Sequence, residues 1–298
     1  MYKCLSSAAS KLGAPHARKL AAHAIRLAAL TSVAEPPQTL RRNVMGLSFA
    51  SPLGLAAGFD KHGSLYRFLA PIGFGFAEIG SVIPQPEQQR SLGLAMVISI
   101  LSNNIRAHSI PLGVSISMNR TTPPQRMAND YLICMEKLWE FADYITLNLG
   151  VRAGPDLHRP EHRATLYTIL VAAKDKQAQM AAESGRVCPI VVKIDQDRGD
   201  TNNLLACVRD YAFDGLILGV SVRTNDEKMM LAYLQRASNK LKDSMPIISV
   251  GGIQTPQDVG DRLSAGASLV QIYSSIVESG PLLPRRINNY LTSLSAAC

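Results

Sequence analysis

Two glycine- and serine-containing segments near the carboxyl terminus have the residue types that bind a phosphate group. The first, SVGGI, spans residues 249–253, and the second, GASLVQIYSS, spans residues 266–275. Glycine lets backbone N–H groups approach an oxyanion closely, and the last two strands of closed α/β proteins often end in such a site. We predict that Gly251, Gly252, Tyr273 and Ser274 cradle a phosphate. The alternative is that the two glycines only form a tight turn.

A lysine near the end of a buried segment is a second candidate for chemistry. Lys193 lies in the apolar run PIVVKI, residues 189–194. Because an ammonium group is costly to remove from water, a lysine in a buried strand needs a negative partner. That partner could be an anionic part of a bound cofactor or a carboxylate of the protein interior. For Lys193 alone, the carboxylate is the simpler interpretation.

Short apolar runs alternate with helical stretches from Leu53 onward, which is the rhythm of a parallel sheet with connecting helices. Several runs are apolar at every position, as expected of strands that are buried on both faces. We predict a closed (β/α)8 barrel of TIM-barrel type, in which residues just past each strand carry the chemistry. The predicted strands are Leu53–Ala57, Phe76–Gly80, Gly113–Ile116, Tyr144–Asn148, Ile190–Ile194, Gly215–Leu218, Ile247–Val250 and Leu269–Ile272.

Composition favours one main globular domain in a reducing compartment. Of the 298 residues 47% are hydrophobic, enough for a large core, yet the chain is short for two enzymatic domains. The net charge of +8 is scattered and accompanies no nucleic-acid-binding motif, which favours anionic ligands or lipid over nucleic acid. The five cysteines form no CxxC pair, no metal site is predicted, and neither a signal peptide nor an apolar run of about 20 residues is found. We expect a cytoplasmic protein.

Residues 1–40 are predicted to form a helical extension that precedes a barrel domain over residues 41–298. Helical spacing of apolar residues begins at Leu5 and, after Pro15, continues to Leu30. The second stretch has an apolar and a cationic face, which is typical of a helix that lies on a membrane surface, here the inner face of the cell membrane. A helical pair that covers one end of the barrel would show the same pattern. The apolar face comprises Leu20, Ala21, Ala24, Ile25 and Ala28, and the cationic residues are Arg18, Lys19, His23 and Arg26.

Six segments resemble the membrane-associated, quinone-linked (class 2) dihydroorotate dehydrogenases. They occur in the family's order and spacing and cover most of the barrel. The resemblance implies an FMN cofactor, an oxidoreductase activity in pyrimidine biosynthesis and an N-terminal extension that forms the quinone entry at the membrane. The segments are MGLSFASPLGLAAGFDK (45–61), GFGFAEIGSVIPQP (73–86), NDYLICMEKLWEFADYITLN (129–148), VVKI (191–194), IISVGGIQTPQD (247–258) and AGASLVQIYS (265–274).

The resemblance also implies roles for individual residues. Lys61 and Asn148 match residues that contact both the flavin and the substrate, and Lys193 matches the flavin lysine. Ser81 stands where the family usually has a threonine that contacts the flavin. The loop that packs on the flavin is matched by Ala56, Ala57 and Gly58, and the phosphate cradle by Gly251, Gly252, Tyr273 and Ser274.

The position of the family's catalytic base is occupied by a residue that cannot take up a proton. Where the family has NxSSPNTPGLR, this chain continues from Asn148 as NLGVRAGP, and Val151 replaces the serine that acts as base. A valine side chain has no group that accepts a proton, and loss of a positioned base typically costs about 10²- to 10⁴-fold in rate. The catalytic residue is therefore unknown.

Other departures also concentrate on the substrate side. Ala153 replaces a substrate-binding asparagine, and Gly219-Val220 replaces a Thr-Asn pair that binds orotate. The family's NRMGFNN loop is unrecognisable between residues 84 and 111, its LSGRP-type loop is missing between residues 221 and 241, and Ser115 replaces an asparagine near the flavin. New cations stand in the altered loop, and they either face an acidic substrate or belong to a solvated loop: Arg152, His158 and Arg159.

Three functions remain open at this point. The first is an FMN-dependent oxidoreductase that acts on a small molecule other than dihydroorotate, with anionic molecules among the candidates, because the flavin side persists while the substrate side has changed. The second is a non-catalytic barrel retained as a binding or scaffold subunit with a protein partner. The third is residual oxidation of dihydroorotate with a substitute base, such as water or His158.

Overall fold

A hairpin and eight barrel strands are present in the computed structural model, which describes residues 13–31, 35–88, 91–104, 110–150, 157, 159–195, 201–219, 227–241 and 244–296. The hairpin consists of β1 (Arg42–Val44) and β2 (Leu47–Phe49). The barrel strands are β3 (Leu53–Leu55), β4 (Phe76–Val82), β5 (Leu112–Ile116), β6 (Tyr144–Asn148), β7 (Ile190–Asp195), β8 (Gly215–Gly219), β9 (Ile247–Val250) and β10 (Leu269–Ile272).

All eight barrel strands pair in parallel and close in the order β10-β3-β4-β5-β6-β7-β8-β9. This confirms the predicted (β/α)8 barrel, and each predicted strand overlaps its observed counterpart. The helices within the described ranges are α1 (Ala14–Thr31), α2 (Leu94–Asn104), α3 (Met127–Leu138), α4 (Arg163–Ser184), α5 (Thr201–Asp210), α6 (Glu227–Leu241), α7 (Pro256–Ser264), α8 (Ser274–Ser279) and α9 (Leu283–Ala296).

The barrel strands separate an inner core from an outer one, which is why their sequences are apolar at nearly every position. Inside the barrel, Phe76, Tyr144, Val191 and Ile248 belong to one buried cluster. Phe49 of the hairpin joins this cluster and packs edge-to-face on Phe76, with ring centroids 5.3 Å apart. Because Phe76 is the first residue of β4, the hairpin closes the barrel at the amino-terminal ends of the strands. The hairpin leaves the carboxyl-terminal end of the barrel uncovered, and a ligand site can form there.

The strand register brings the chemical groups of neighbouring strands to that opposite end. Asn148, the last residue of β6, pairs with Lys193 of β7. Asp195, the last residue of β7, pairs with Gly219, the last residue of β8. Residues that are distant in the sequence therefore face one another across the carboxyl-terminal rim of the barrel.

Helix α1 lies against the barrel at this same rim. Its buried residues Ala17, Ala21 and Ile25 are spaced four apart and form one stripe. The helix packs on the short 3₁₀ turns Tyr66–Phe68 and Ala70–Ile72 and on α8. Much of the apolar face predicted from the sequence is thus used to cover the barrel. The first predicted helical stretch, residues 5–12, lies outside the described residues. In the described part of the chain, none of the helices combines the length and the apolar character needed to cross a membrane.

Candidate functional site

A cavity of about 450 Å³ opens at the carboxyl-terminal ends of the barrel strands. This volume lies within the range of about 300 to 1,000 Å³ that is common for small-molecule sites. The position is also the one at which barrels of this type carry their active sites. The cavity is therefore the candidate functional site among the described residues.

Most of the residues predicted to bind a cofactor or substrate lie on the cavity wall. Gly252 and Ser274 stand next to lining residues in the sequence, and the binding roles of all these residues remain predictions. The predicted residues that line the cavity are Ala56, Ala57, Gly58, Lys61, Ser81, Asn148, Lys193, Gly251 and Tyr273.

The loop after β3 is held in place by a buried carboxylate. Asp60 is 4% exposed and accepts hydrogen bonds from the backbone N–H groups of Gly63, Ser64 and Leu65 at 2.8 to 3.1 Å. Burial raises the pKa of Asp60, and the backbone N–H groups oppose that rise. These bonds order the turn that follows Gly58 and presents Lys61 to the cavity.

The Gly251–Gly252 turn, where the phosphate cradle was predicted, has a backbone conformation that favours glycine. Both residues have positive φ angles, 102° and 75°, which side-chain-bearing residues rarely adopt. Behind the turn, the fully buried guanidinium of Arg262 forms a two-pronged ion pair with Glu227 at 2.9 and 3.0 Å and donates to the carbonyl of Gly251 at 3.3 Å. The ion pair therefore ties the start of α6 to the turn.

On the other side of the predicted cradle, Tyr273 and Ser274 stand at the start of α8. The amide Nε2 of Gln254 donates to Ser274 Oγ at 3.2 Å, which links the segment after β9 to the segment after β10. The ring of Tyr273 packs edge-to-face on Phe59, with centroids 5.8 Å apart. A Cβ built on Gly58 would lie 3.5 Å from the Tyr273 ring, so the β3 loop and the cradle are in contact.

A row of hydrogen bonds connects the ends of β4, β5 and β6. Asn148 Nδ2 donates to Ser81 Oγ at 2.7 Å, and Ser81 Oγ is 3.1 Å from Ser115 Oγ. Asn148 Oδ1 accepts the N–H of Gly150 at 3.2 Å. Ser81 and Ser115, which the family resemblance predicts to replace other residues, therefore bond to each other, and Ser81 orients Asn148.

Next to Ser81, Gly80 meets a steric requirement. Its φ angle is 108°, and a Cβ built on it would lie 2.3 Å from the carbonyl oxygen of Ser115. No larger residue fits without moving β5.

A buried carboxylate lies one step below the cavity, inside the barrel. Glu78 is fully buried, and its Oε2 accepts hydrogen bonds from Tyr144 and Thr146 of β6 and from Gln271 of β10 at 3.1 to 3.2 Å. Burial raises the pKa of Glu78, while the charge of Lys193 and the three hydrogen bonds act to lower it. Lys193 therefore interacts electrostatically with Glu78, a carboxylate of the barrel interior. Such a carboxylate was the simpler of the two partners predicted for Lys193.

Replacing Glu78 by glutamine is expected to make stability less dependent on pH. A carboxyl whose pKa is raised by folding keeps a proton that the unfolded chain has lost, so wild-type stability falls as pH rises above about 4.5, the ordinary value, towards the folded-state pKa. A tenfold difference in proton affinity between the two states is worth about 1.4 kcal/mol. The variant Glu78→Gln should therefore gain stability relative to the wild type between pH 4 and pH 9 in urea unfolding.

The control for this experiment is Glu136→Gln. Lys176 and Lys137 lower the pKa of this surface carboxylate, so its small contribution has the opposite sign. A Glu78→Gln difference that stays constant over the pH series would show that Glu78 is ionised in the folded protein.

Several cavity residues were missed by the sequence predictions. Arg18 lines the cavity from α1 and donates to the carbonyl of Gly58 at 3.3 Å. Asp195, Gly150 and Gly219 line it from the ends of β7, β6 and β8. Asp195 could have been predicted from the sequence, because it is a charged residue at the end of a buried strand. Nothing in the sequence connects Arg18 with the β3 loop.

The cations predicted to face an acidic substrate are only partly described. Arg152 and His158 lie outside the described residues, as do Val151, Ala153 and Val220. Arg159 is exposed, and its guanidinium lies 3.6 Å from the carboxylate of Glu161. It is not among the residues that line the cavity. This exposed position agrees with the alternative that Arg159 belongs to a solvated loop.

Burial, together with the nearby charges of Lys61 and Arg18, lowers the pKa of His62 at the edge of the site. The imidazole is therefore biased towards its neutral form, and its Nε2 accepts the backbone N–H of Leu92 at 3.4 Å. Through this bond the β3 loop also holds the segment that precedes α2.

The fold and the cavity together define a parallel α/β-barrel protein with a cavity at the carboxyl-terminal rim. Residues 219–294 match the family model described as dihydroorotate dehydrogenase. A Methylobacillus flagellatus protein named dihydroorotate dehydrogenase (quinone) is 34% identical, with 83% of this chain and 86% of the relative covered. A Nitrosospira multiformis protein of the same name is 32% identical, with 87% and 86% covered. The chain belongs to the dihydroorotate dehydrogenase family, which is a family of oxidoreductases.

Solved structures agree with this assignment at the level of the fold. The ligand-free DHODH of Eimeria tenella superimposes with a TM-score of 0.81 at 25% identity, over 93% of this chain and 95% of that one. The crystal structure of the same organism's DHODH in complex with ferulenol gives a TM-score of 0.80 at 24% identity, over 94% and 92%. The predicted family and barrel are both confirmed.

Proposed function

We propose that this chain is an FMN-dependent oxidoreductase whose substrate is a small molecule other than dihydroorotate. One observation carries the proposal. Lys61, Asn148, Lys193 and Gly251, the first residue of the Gly251–Gly252 turn, all line a single cavity, as a flavin site requires. The rim positions that should hold donors for orotate are changed, because Gly219 has no side chain. In the adjoining sequence Val151 provides no base.

The charges and the backbone conformation of the described residues support FMN as the cofactor. When bound, the flavin would supply the two-electron acceptor for substrate oxidation. The backbone of Gly251 and Gly252 can approach a phosphate because neither residue has a Cβ, and the start of α8 completes the cradle. Lys193 places an ammonium group in the cavity, where it would stabilise negative charge on the reduced ring. Asn148, oriented by Ser81, offers an amide to the ring or to the substrate.

The electron acceptor we propose is a quinone, which would reach the cavity along a helical extension formed by residues 1–40, ahead of the barrel domain of residues 41–298. Support comes from the relatives, which are named as quinone-linked enzymes. Helix α1 covers the cavity rim and leaves Leu27 and Leu30 about three-quarters exposed, at 70% and 77%. Exposed leucines on a cationic helix suit contact with the inner face of the cell membrane.

The visible spectrum of the purified protein, with any cofactor released by denaturation and identified, tests the proposal. We expect FMN, either bound on purification or taken up stoichiometrically on addition. In the variant Lys193→Met the Kd for FMN should rise about tenfold to a hundredfold, the worth of one hydrogen bond to a charged group. Lys176→Met, which removes a lysine from a surface pair with Glu136, should leave the Kd unchanged.

A colourless protein that does not take up added FMN would overturn the oxidoreductase proposal. The non-catalytic binding or scaffold subunit would then be the better interpretation, and co-purification of a partner protein would support it. If Lys193→Met and Lys176→Met bind FMN equally well, Lys193 does not contact the flavin.

A further inference from the structure

The carboxyl group of Glu78, inside the barrel and below the cavity, has an uneven set of hydrogen bonds. Its oxygen Oε2 accepts three of them, from Tyr144, Thr146 and Gln271. Its other oxygen, Oε1, is buried and has no hydrogen-bond partner within the described part of the chain. An ionised carboxylate accepts hydrogen bonds at both oxygens, whereas a protonated carboxyl has one O–H donor. The arrangement fits a carboxyl that carries its proton on Oε1.

A second buried oxygen shows where such a proton would be used. Gln271 is fully buried and donates through Nε2 to Glu78 Oε2 at 3.1 Å, but its own Oε1 has no hydrogen-bond partner among the described residues. Buried acceptors in folded proteins are normally paired. An amide and a protonated carboxyl can bond reciprocally, because each group has one donor and one acceptor. One proton on Glu78 Oε1 would therefore give both of these oxygens a partner.

The electrostatic surroundings of Glu78 favour this proton. In the described barrel strands, the other ionisable side chains are Tyr144 of β6 and Lys193 and Asp195 of β7. Burial has the largest effect on the pKa of Glu78 and raises it, while the charge of Lys193 opposes the rise. Burial also raises the pKa of Tyr144, so its hydroxyl remains a donor. A carboxyl in such a site can stay neutral at neutral pH.

The charge state of Glu78 decides how strongly Lys193 attracts an anion. An ionised Glu78 would oppose the positive charge of Lys193 from below and would repel a negative group placed above it. Lys193 lines the cavity, so its ammonium group acts on a bound ligand. With a proton on Glu78, the charge of Lys193 is not cancelled by this carboxyl.

We propose that Glu78 is a positioning residue that holds a proton and thereby reserves the charge of Lys193 for a negatively charged group of the ligand in the cavity. The inference rests on the proposed function in one respect, since the group would then be the flavin ring, which gains negative charge on reduction. The neutral carboxyl favours the reduced ring over the oxidised one. Loss of the proton at higher pH would remove this advantage.

Infrared spectroscopy of the flavin-free protein tests the proton directly. We expect the wild type at pH 6 to show the C=O stretching band of a protonated carboxyl, and Glu78→Gln to lose that band. Glu136→Gln is the matched control and should lose no such band, because Lys176 and Lys137 lower the pKa of Glu136. Glutamine has the donor and the acceptor of a protonated carboxyl, so Glu78→Gln should fold.

The midpoint potential of bound FMN tests the effect on Lys193. The potentials of the wild type and Glu78→Gln should agree at each pH at which the wild type shows the band. Once the wild type loses the band, its potential should fall below that of the variant by about 30 mV or more. That difference corresponds to a tenfold change in the ratio of the affinities for reduced and oxidised FMN.

Several results would overturn the inference. Absence of the band from the wild type would show that Glu78 is ionised and that an internal water bonds to its Oε1. A Glu78→Gln protein that does not fold would also contradict a neutral carboxyl. Different potentials at a pH at which the band is present would show that Glu78 does not act through Lys193. If the protein binds no FMN, the oxidoreductase proposal fails, while the infrared band still decides whether Glu78 holds the proton.

Discussion

The FMN-loaded protein is expected to oxidise dihydroorotate about 10²- to 10⁴-fold more slowly than the Methylobacillus flagellatus relative assayed beside it. The expected reason is chemical, since the family resemblance places Val151 at the position of the family's base, and a positioned general base ordinarily contributes a factor of this size. By the same resemblance, Ala153 and Gly219 stand where the family has side chains that bind the substrate. Anaerobic bleaching of the flavin absorption band after mixing with dihydroorotate measures the oxidation directly, without an electron acceptor.

A pair of variants isolates the missing base. Val151→Ser supplies a hydroxyl and Val151→Ala does not, although both make the side chain smaller. We expect Val151→Ser to bleach the flavin faster than Val151→Ala, with both remaining below the relative because the substrate contacts are still absent. A wild-type rate equal to that of the relative would contradict the expectation and would support conventional dihydroorotate oxidation with a substitute base.

The second large effect is expected at the ion pair behind the Gly251–Gly252 turn. Glu227→Ala leaves the fully buried guanidinium of Arg262 without its carboxylate, and breaking a buried pair in this way typically costs about 3 to 5 kcal/mol. Because the Glu227 side chain is 34% exposed, water can replace part of the interaction, and we expect a loss near 3 kcal/mol in urea unfolding. FMN should also bind more weakly, since Arg262 donates to the carbonyl of Gly251.

The matched control is Glu161→Ala, which removes the carboxylate of an exposed pair with Arg159. Both members of that pair are more than half exposed, so its loss should leave stability nearly unchanged. Equal stabilities of Glu227→Ala and Glu161→Ala would show that the buried pair does not hold the start of α6. If Glu227→Ala loses stability but retains its affinity for FMN, the pair supports the fold and not the cradle.

The strands were predictable because the barrel buries both of their faces. Strands β6, β9 and β10 begin and end at the predicted residues, and the others differ by at most two residues at either end. A strand buried on both sides must be apolar at nearly every position, so its extent can be read from composition alone. The least accurate boundaries were the ends of two strands: β3 ends at Leu55 while the prediction continued to Ala57, and β4 continues to Val82 while the prediction ended at Gly80. The backbone N–H of Ala56 still donates a hydrogen bond to the carbonyl of Ile272 in β10, so strand-like pairing continues one residue past the end of β3.

The candidate site was predictable where the family's motifs are intact. Lys61, Asn148, Lys193 and Gly251 lie on one cavity wall although they come from four different strand ends. The fold brings them together, since parallel strands present all their carboxyl ends at the same rim. The changed loops could not be assigned in the same way, because a loop that lacks the family's residues offers neither a motif nor a repeating pattern from which to infer its contacts.

The amino-acid sequence alone predicted the family, the eight-stranded barrel and the end of the barrel at which the cavity lies. Each of these depends on local apolar patterns and short motifs. The tertiary structure alone decided that Arg18 of α1 reaches Gly58, that Arg262 and Glu227 pair behind the cradle, and that Asp195 fills the space left by Gly150 and Gly219. Each of these contacts joins residues between 24 and 45 positions apart. Their side chains meet only because the closed sheet sets the distance between strand ends, which no local pattern encodes.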